Sequence, residues 1–209
     1  MNTFATRTSM RALAGLAVVG VLTLTACNDD TSSDTAKTAP PAAPTTAAPA
    51  PAGNGGGTGK DAAPGTTAKI GDAVQIPFSS GSTKGTVTLA VTSIEQGDPA
   101  DLADFKLGDK VKGLVPYYIH YKITNIGTTD LSFTSLTAVK GLLPDGTEAQ
   151  ELSVIGTFAK CPNNSLPSGF TNGRSATSCA VALASSATKV AGAEYWGEPY
   201  TLGKGVNWK

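Results

Sequence analysis

Of the side chains able to move a proton near neutral pH, this 209-residue chain holds a single histidine, His120. It alternates with Tyr121, whose face also carries Ile119 and Ile123, so it is expected on the opposite, wetter face of a strand, at the surface or the rim of a pocket. A catalytic base needs a nucleophile within reach, and no Gly-x-Ser-x-Gly elbow is present. Ser186-Ala187-Thr188-Lys189 matches Ser-x-x-Lys, yet its Ser-Asp-Asn and Lys-Thr-Gly companions are missing and it sits in a polar stretch. Gly59-Lys60 follows a glycine run but leads into Asp61 rather than Ser or Thr, and no strand precedes it, so it is not a phosphate loop. Asp98, Asp101, Asp104 and Asp109 do not have EF-hand spacing, and Lys106, Lys110 and Lys112 offset their charge. One His and three Cys cannot build a multi-ligand zinc or iron–sulfur site, so no metal or other cofactor is expected. Sixteen basic and sixteen acidic groups leave no net charge, which excludes the basic footprint of a nucleic-acid partner. Tyr195, Trp196, Tyr200 and Trp208 cluster near the end of the chain. Such rings can stack on sugars or anchor an interface, which makes Tyr195, Trp196 and Tyr200 candidate contacts beside His120. At alternate strand positions they are core instead, and at least one tryptophan is expected to be buried.

The three cysteines divide by context. Arg7 and Arg11 precede an uncharged run from Ala12 to Leu24, 13 residues long, which suits a signal h-region and is too short to span a bilayer. The run ends in Leu24-Thr25-Ala26-Cys27. This resembles the bacterial lipobox, which implies a diacylglyceryl group on the Cys27 thiol and cleavage before it. Two acyl chains suffice for stable anchoring, each buried methylene contributing about 0.8 kcal/mol. Without the two leader arginines the net charge is −2, so the headgroups add no attraction. If Cys27 is lipidated, Cys161 and Cys179 are left as a pair, expected to be oxidised outside the cytoplasm. No Cys-x-x-Cys is present to lower a thiol pKa, so the pair is structural, closing a polar loop and stabilising it by about 3 kcal/mol.

Residues 1–26 are thus a leader. Residues 27–68 contain Thr, Ala, Pro, Gly, Ser and Asp with no aromatic residue, Leu, Ile or Val until Ile70. Such a segment cannot offset its ordering entropy and is expected to be a disordered tether. As a coil, roughly 40 residues span on the order of 35 Å. Residues 69–209 have the length of one domain.

Short alternating runs broken by Gly, Pro, Asn and Asp dominate that domain. They are Val74–Ile76, Lys84–Glu95, Val115–Asn125, Leu131–Ser135, Ala138–Leu143, Ser175–Leu183, Lys189–Trp196 and Val206–Lys209. Tyr117, Ile119, Tyr121 and Ile123 share one face of the third run, and Cys179, Val181 and Leu183 one face of the sixth. Asp98-Pro99 predicts the start of one short helix. Seven or eight short strands with this turn spacing predict an all-β antiparallel sandwich. Asn125-Ile126-Gly127, Leu143-Pro144-Asp145-Gly146-Thr147 and Leu166-Pro167-Ser168-Gly169-Phe170 resemble the turns of the telokin-like, immunoglobulin-like domain of Gram-positive surface lipoproteins. Ala193-Glu194-Tyr195-Trp196-Gly197 is similar to actinobacterial endings. The resemblance covers about Ala73 to Trp208, implies an immunoglobulin-like fold and brings no catalytic residue with it.

The expectation is a lipid-anchored module on the extracellular face of the cell membrane that binds a wall polymer or another envelope protein, and not an enzyme. One alternative is an accessory structural protein without a discrete ligand. Another is an envelope hydrolase, which requires a pocket joining His120 to a carboxylate such as Glu194 or Glu198.

Overall fold

Alternation of apolar and polar residues along three long strands lays down the frame. A computed structural model describes residues 59–153 and 156–209. Strands β1 (Thr67–Ala68), β2 (Val74–Ser80), β3 (Thr83–Gln96), β4 (Leu114–Asn125), β5 (Val139–Leu142), β6 (Gln150–Leu152), β7 (Ser175–Ser185), β8 (Gly192–Tyr195) and β9 (Val206–Trp208) form two sheets. The five-stranded sheet has the order β2-β3-β4-β7-β6 and is antiparallel throughout. The four-stranded sheet has the order β1-β9-β8-β5, with β1 parallel to β9 and the other pairs antiparallel. Together they make the expected all-β sandwich.

Between the sheets, Tyr117, Ile119, Tyr121 and Ile123 of β4 pack with Ile76, Phe78, Val87 and Leu89 from one layer and Val139, Tyr195, Val206 and Trp208 from the other. Small residues set the spacing there. A Cβ on Gly141 of β5 would lie 2.7 Å from Ala182 Cβ of β7, closer than two side-chain carbons approach, so glycine is required at this contact.

The other face of the five-stranded sheet is buried as well. Tyr118, Cys179, Val181 and Leu183 form a second cluster, covered by Leu102 and Phe158. Leu102 belongs to a 3₁₀ turn, Pro99–Phe105. Its start follows from the sequence: Asp98 Oδ1 accepts the Ala100 N–H, the Asp98 N–H donates to Asp101 Oδ2, and proline fills the first helical position. A second 3₁₀ turn, Gly108–Val111, follows. The Cys161–Cys179 disulfide is formed, with Cα atoms 5.1 Å apart, and pins the Phe158–Cys161 segment onto β7.

Three local expectations change. Leu131–Ser135 is a laced loop rather than a strand. Asp130 Oδ1 accepts from both N–H and O–H of Ser132, and Ser132 Oγ accepts the N–H groups of Gly169 and Phe170, so side chains take the bonds a ladder would have used. β6 has no expected counterpart. Thr67–Ala68, assigned from composition to the tether, pairs with Asn207–Trp208 as β1. Ala62 lies against the core and the Tyr200 O–H donates to its carbonyl at 2.7 Å. Among the described residues, both apolar clusters draw on the stretch between Ala62 and Trp208. Cys27, the leader and residues 28–58 lie outside the described residues.

Candidate functional site

His120 sits in the middle of β4, opposite Ser93 on β3 and Cys179 on β7. The β3 register slips between Val91 and Ser93, leaving Thr92 as the extra residue of a bulge whose Oγ1 donates to the His120 carbonyl at 3.1 Å. The imidazole is 31 % exposed, with Nε2 3.9 Å from Glu95 Oε2. Glu95 Oε1 in turn accepts the Ser93 O–H at 2.9 Å. These groups line an open hollow of about 420 Å³ walled by Pro162 and Ser178, next to the disulfide. Ser178 Oγ donates to Asn163 Oδ1, which ties the pinned loop to the sheet.

A second hollow, about 500 Å³, shares Glu95 and is lined by Asp98, Asp101, Tyr118 and Lys160. The Tyr118 O–H donates to Asp101 Oδ2 at 2.7 Å. That bond, the backbone at Asp98 and Lys160 at 3.7 Å hold the Asp101 carboxyl below the usual carboxylate range. Burial, and then the bond to Asp101, push the Tyr118 phenol up. The two hollows make a polar groove of hydroxyls, carboxylates, one ammonium and one imidazole.

In this groove the carboxylate stands between the hydroxyl and the imidazole. Nucleophilic activation needs the imidazole between hydroxyl and acid, so Ser93, Glu95 and His120 are not ordered as a triad. Among the described residues, no group of three or more His, Cys, Asp or Glu is placed to hold a metal ion.

The aromatic candidates separate. Tyr195 and Tyr200 are core residues, packed edge to face with centroids 5.9 Å apart and donating to the Pro77 and Ala62 carbonyls. As ligand contacts they are corrected to structural roles: alternation along β8 turns Tyr195 inward, and the bond to the Ala62 carbonyl holds Tyr200 of the β8–β9 loop against it. Burial, with Asp61 nearby, pushes the Tyr200 phenol up to about 12. Trp208 is buried, with its indole N–H donating to the Asp72 carbonyl. Trp196 alone stays half-exposed.

Glu194 is the largest departure from expectation. Its neighbours Ala193 and Tyr195 face the inter-sheet core, so it points to the outer side of the four-stranded sheet, away from the outer side of the five-stranded sheet where His120 lies. The His120–Glu194 pairing is therefore not assembled. Glu198 is an exposed residue of the β8–β9 loop. Glu194 is 1 % exposed and stands opposite Lys140 on β5, which is 4 % exposed. Lys140 Nζ is 3.3 Å from Glu194 Oε2 and 2.6 Å from Glu148 Oε1, with the Trp196 ring centroid at 5.6 Å. Despite these distances, neither Nζ nor Oε2 completes a hydrogen bond of good angle. Glu194 Oε1 accepts the Gly205 N–H at 2.7 Å and so ties down the β8–β9 loop. The only sequence signal for this cluster was a charge set between apolar neighbours in each of two short strands.

No protein-family model matches the chain, and no curated protein matches it. The turn motifs therefore remain a resemblance to a family. Among solved structures, a secreted protein from Mycobacterium tuberculosis, MPT63, aligns with a TM-score of 0.45 and 11% identity, covering 68% of this chain and 95% of that one. At this level of likeness nothing about function passes from one chain to the other.

Proposed function

We propose that the protein is a lipid-anchored, non-catalytic binding module of the cell envelope, and that the groove over His120 and Glu95 is its ligand face. The observation that carries this is the Cys161–Cys179 bridge forming one wall of that groove. A buried bridge fits an oxidising compartment outside the cytoplasm, and it fixes a loop beside a polar hollow that would otherwise lose its wall. The sequence from Arg7 to Cys27 supplies the route there and the anchor. A groove lined by hydroxyls and a carboxylate–imidazole pair offers hydrogen bonds to a polyhydroxylated wall polymer. Among its described lining residues there is no cationic cluster for a polyphosphate.

The test has two arms. Protease added to intact cells releases the body, and the chain from Asn28 on is retained on purified wall polymer, with Glu95→Ala and His120→Ala each lowering retention several-fold. Protection of the body until the cells are lysed would refute the location. Retention that both variants leave unchanged would refute the groove.

A further inference from the structure

We infer that the end of the sandwich where the chain comes in from residue 59 is a membrane-docking surface that seats on the bilayer holding the acyl chains of Cys27; this rests on the anchoring proposed above.

The contacts that define this end form a connected path. The Gly65 N–H donates to the Gly205 carbonyl, and Tyr200 to that of Ala62, so the incoming chain lies against the β8–β9 loop. Tyr195, packed on Tyr200, donates to the Pro77 carbonyl; Pro77 pairs with Thr86, whose carbonyl accepts the N–H groups of Ile126 and Gly127. Asn125 then donates to the Thr129 and Phe170 carbonyls, which fastens the loop that carries Phe133. The loops bearing Leu202, Ile126 and Phe133 therefore share one end with the incoming chain.

All three of those side chains are exposed. Phe133 is 72 % exposed, and its backbone has φ 61, a left-handed conformation that a bulky residue rarely adopts. The loop imposes it: the Phe133 N–H donates to the Leu166 carbonyl, the Thr134 N–H to that of Leu131, and Ser132 bridges to Gly169 and Phe170. A strained backbone that holds an aromatic ring out in water is a pre-organised contact. Charge at this end nearly cancels, with Lys60, Lys84, Arg174 and Lys204 set against Asp61, Asp130 and Glu198. The surface therefore suits an apolar contact rather than an anionic polymer.

The chain between Cys27 and residue 59 supplies the occupant. A flexible tether of that length, about 30 residues, would reach roughly 30 Å and set an effective concentration in the millimolar range. A docking Kd of about 1 mM is then half-saturated on the anchored chain, and the free chain reaches the same occupancy with vesicles at about 1 mM accessible lipid. Seated in this way, the module would present the groove on its side, clear of the bilayer.

The experiment uses the chain from Asn28 on, which lacks both leader and Cys27 and keeps every described residue. It is floated with phosphatidylcholine vesicles, with and without phosphatidylglycerol. Measurable partition is expected on both, little changed by salt. Phe133→Ser is expected to lower the partition coefficient at least about tenfold, equivalent to about 1.4 kcal/mol. Phe133→Gly, which suits the left-handed backbone and so keeps the fold, should do the same. Ile70→Ser, beyond the far end of β1, should leave it unchanged. No flotation, equal flotation of the Phe133 variants, or flotation that requires phosphatidylglycerol and vanishes in salt would overturn the docking. So would loss of an envelope-protein contact in Phe133→Ser without vesicle partition. Fatty-acid labelling of the full chain reports the anchor separately. A labelled protein whose body does not float removes the docking alone, and an unlabelled one whose body floats removes the anchor alone.

Discussion

Replacing Glu194 by Gln removes one charge from the buried Lys140 cluster while keeping an oxygen able to accept the Gly205 N–H. The ammonium it leaves behind is 4 % exposed, so water cannot replace the lost carboxylate. Orphaning a buried charge costs about 3–5 kcal/mol. The surviving contact to Glu148 at 2.6 Å, from a carboxylate itself 42 % exposed, offsets part of this and sets the expectation near the lower end, ~3 kcal/mol. Glu194→Ala also strips the Gly205 N–H of its acceptor, which adds about 1–3 kcal/mol. Adding Lys140→Met to Glu194→Gln removes the orphaned charge, so the double variant should return to within about 2 kcal/mol of the wild type. Urea unfolding reads these differences as midpoint shifts at constant slope, and the cycle gives a coupling of at least ~2 kcal/mol. A Glu194→Gln variant within ~0.5 kcal/mol of the wild type would refute the burial-based reasoning.

Other consequences are as direct. Replacing Cys161 and Cys179 together by Ala frees a loop of 18 residue separations and should cost about 3 kcal/mol. Amide exchange should then speed up at Phe158–Asn163 and stay slow in β3, β4 and β7; uniform exchange throughout would contradict the pinned-loop account. Phe133→Gly should raise stability by roughly 1 kcal/mol in thermal unfolding, because it relieves the left-handed strain while weakening vesicle binding. Tyr118, Tyr195 and Tyr200 all ionise above the ordinary value of 10.0 in the folded protein. Their contribution to stability is therefore fully present below pH 10 and lost as pH climbs, for Tyr200 through about 12. Tyrosinate absorbance should rise together with loss of the near-ultraviolet signal, and full ionisation of the folded protein before unfolding would contradict it.

What could be read in the sequence was what short-range pattern determines. The β4 alternation, the Asp98-Pro99 turn and the shared face of Cys179, Val181 and Leu183 on β7 all follow from spacing within a dozen residues. Sandwich class followed from strand length and turn spacing. Missing were the features made by contacts between distant parts of the chain. β1 is two residues long and exists only because Asn207–Trp208 lies beside it. Lys140 and Glu194 are ordinary charges until β5 and β8 set them opposite each other. His120 lies 3.9 Å from Glu95, a neighbour brought to it beside a bulge no alternation reveals. Leu131–Ser135 looked like a strand because its hydrophobic residues alternate, but only Leu131 reaches the core, Phe133 stays in water, and Asp130 and Ser132 divert the backbone bonds.

The measurement that bears most directly on the whole account is metabolic labelling with a radiolabelled fatty acid, applied to cells producing the wild-type chain or Cys27→Ala. The expected result is label in the membrane-bound wild type and none in the variant. Equal label in both, or none in a wild type recovered from the soluble cytoplasmic fraction, would contradict the account.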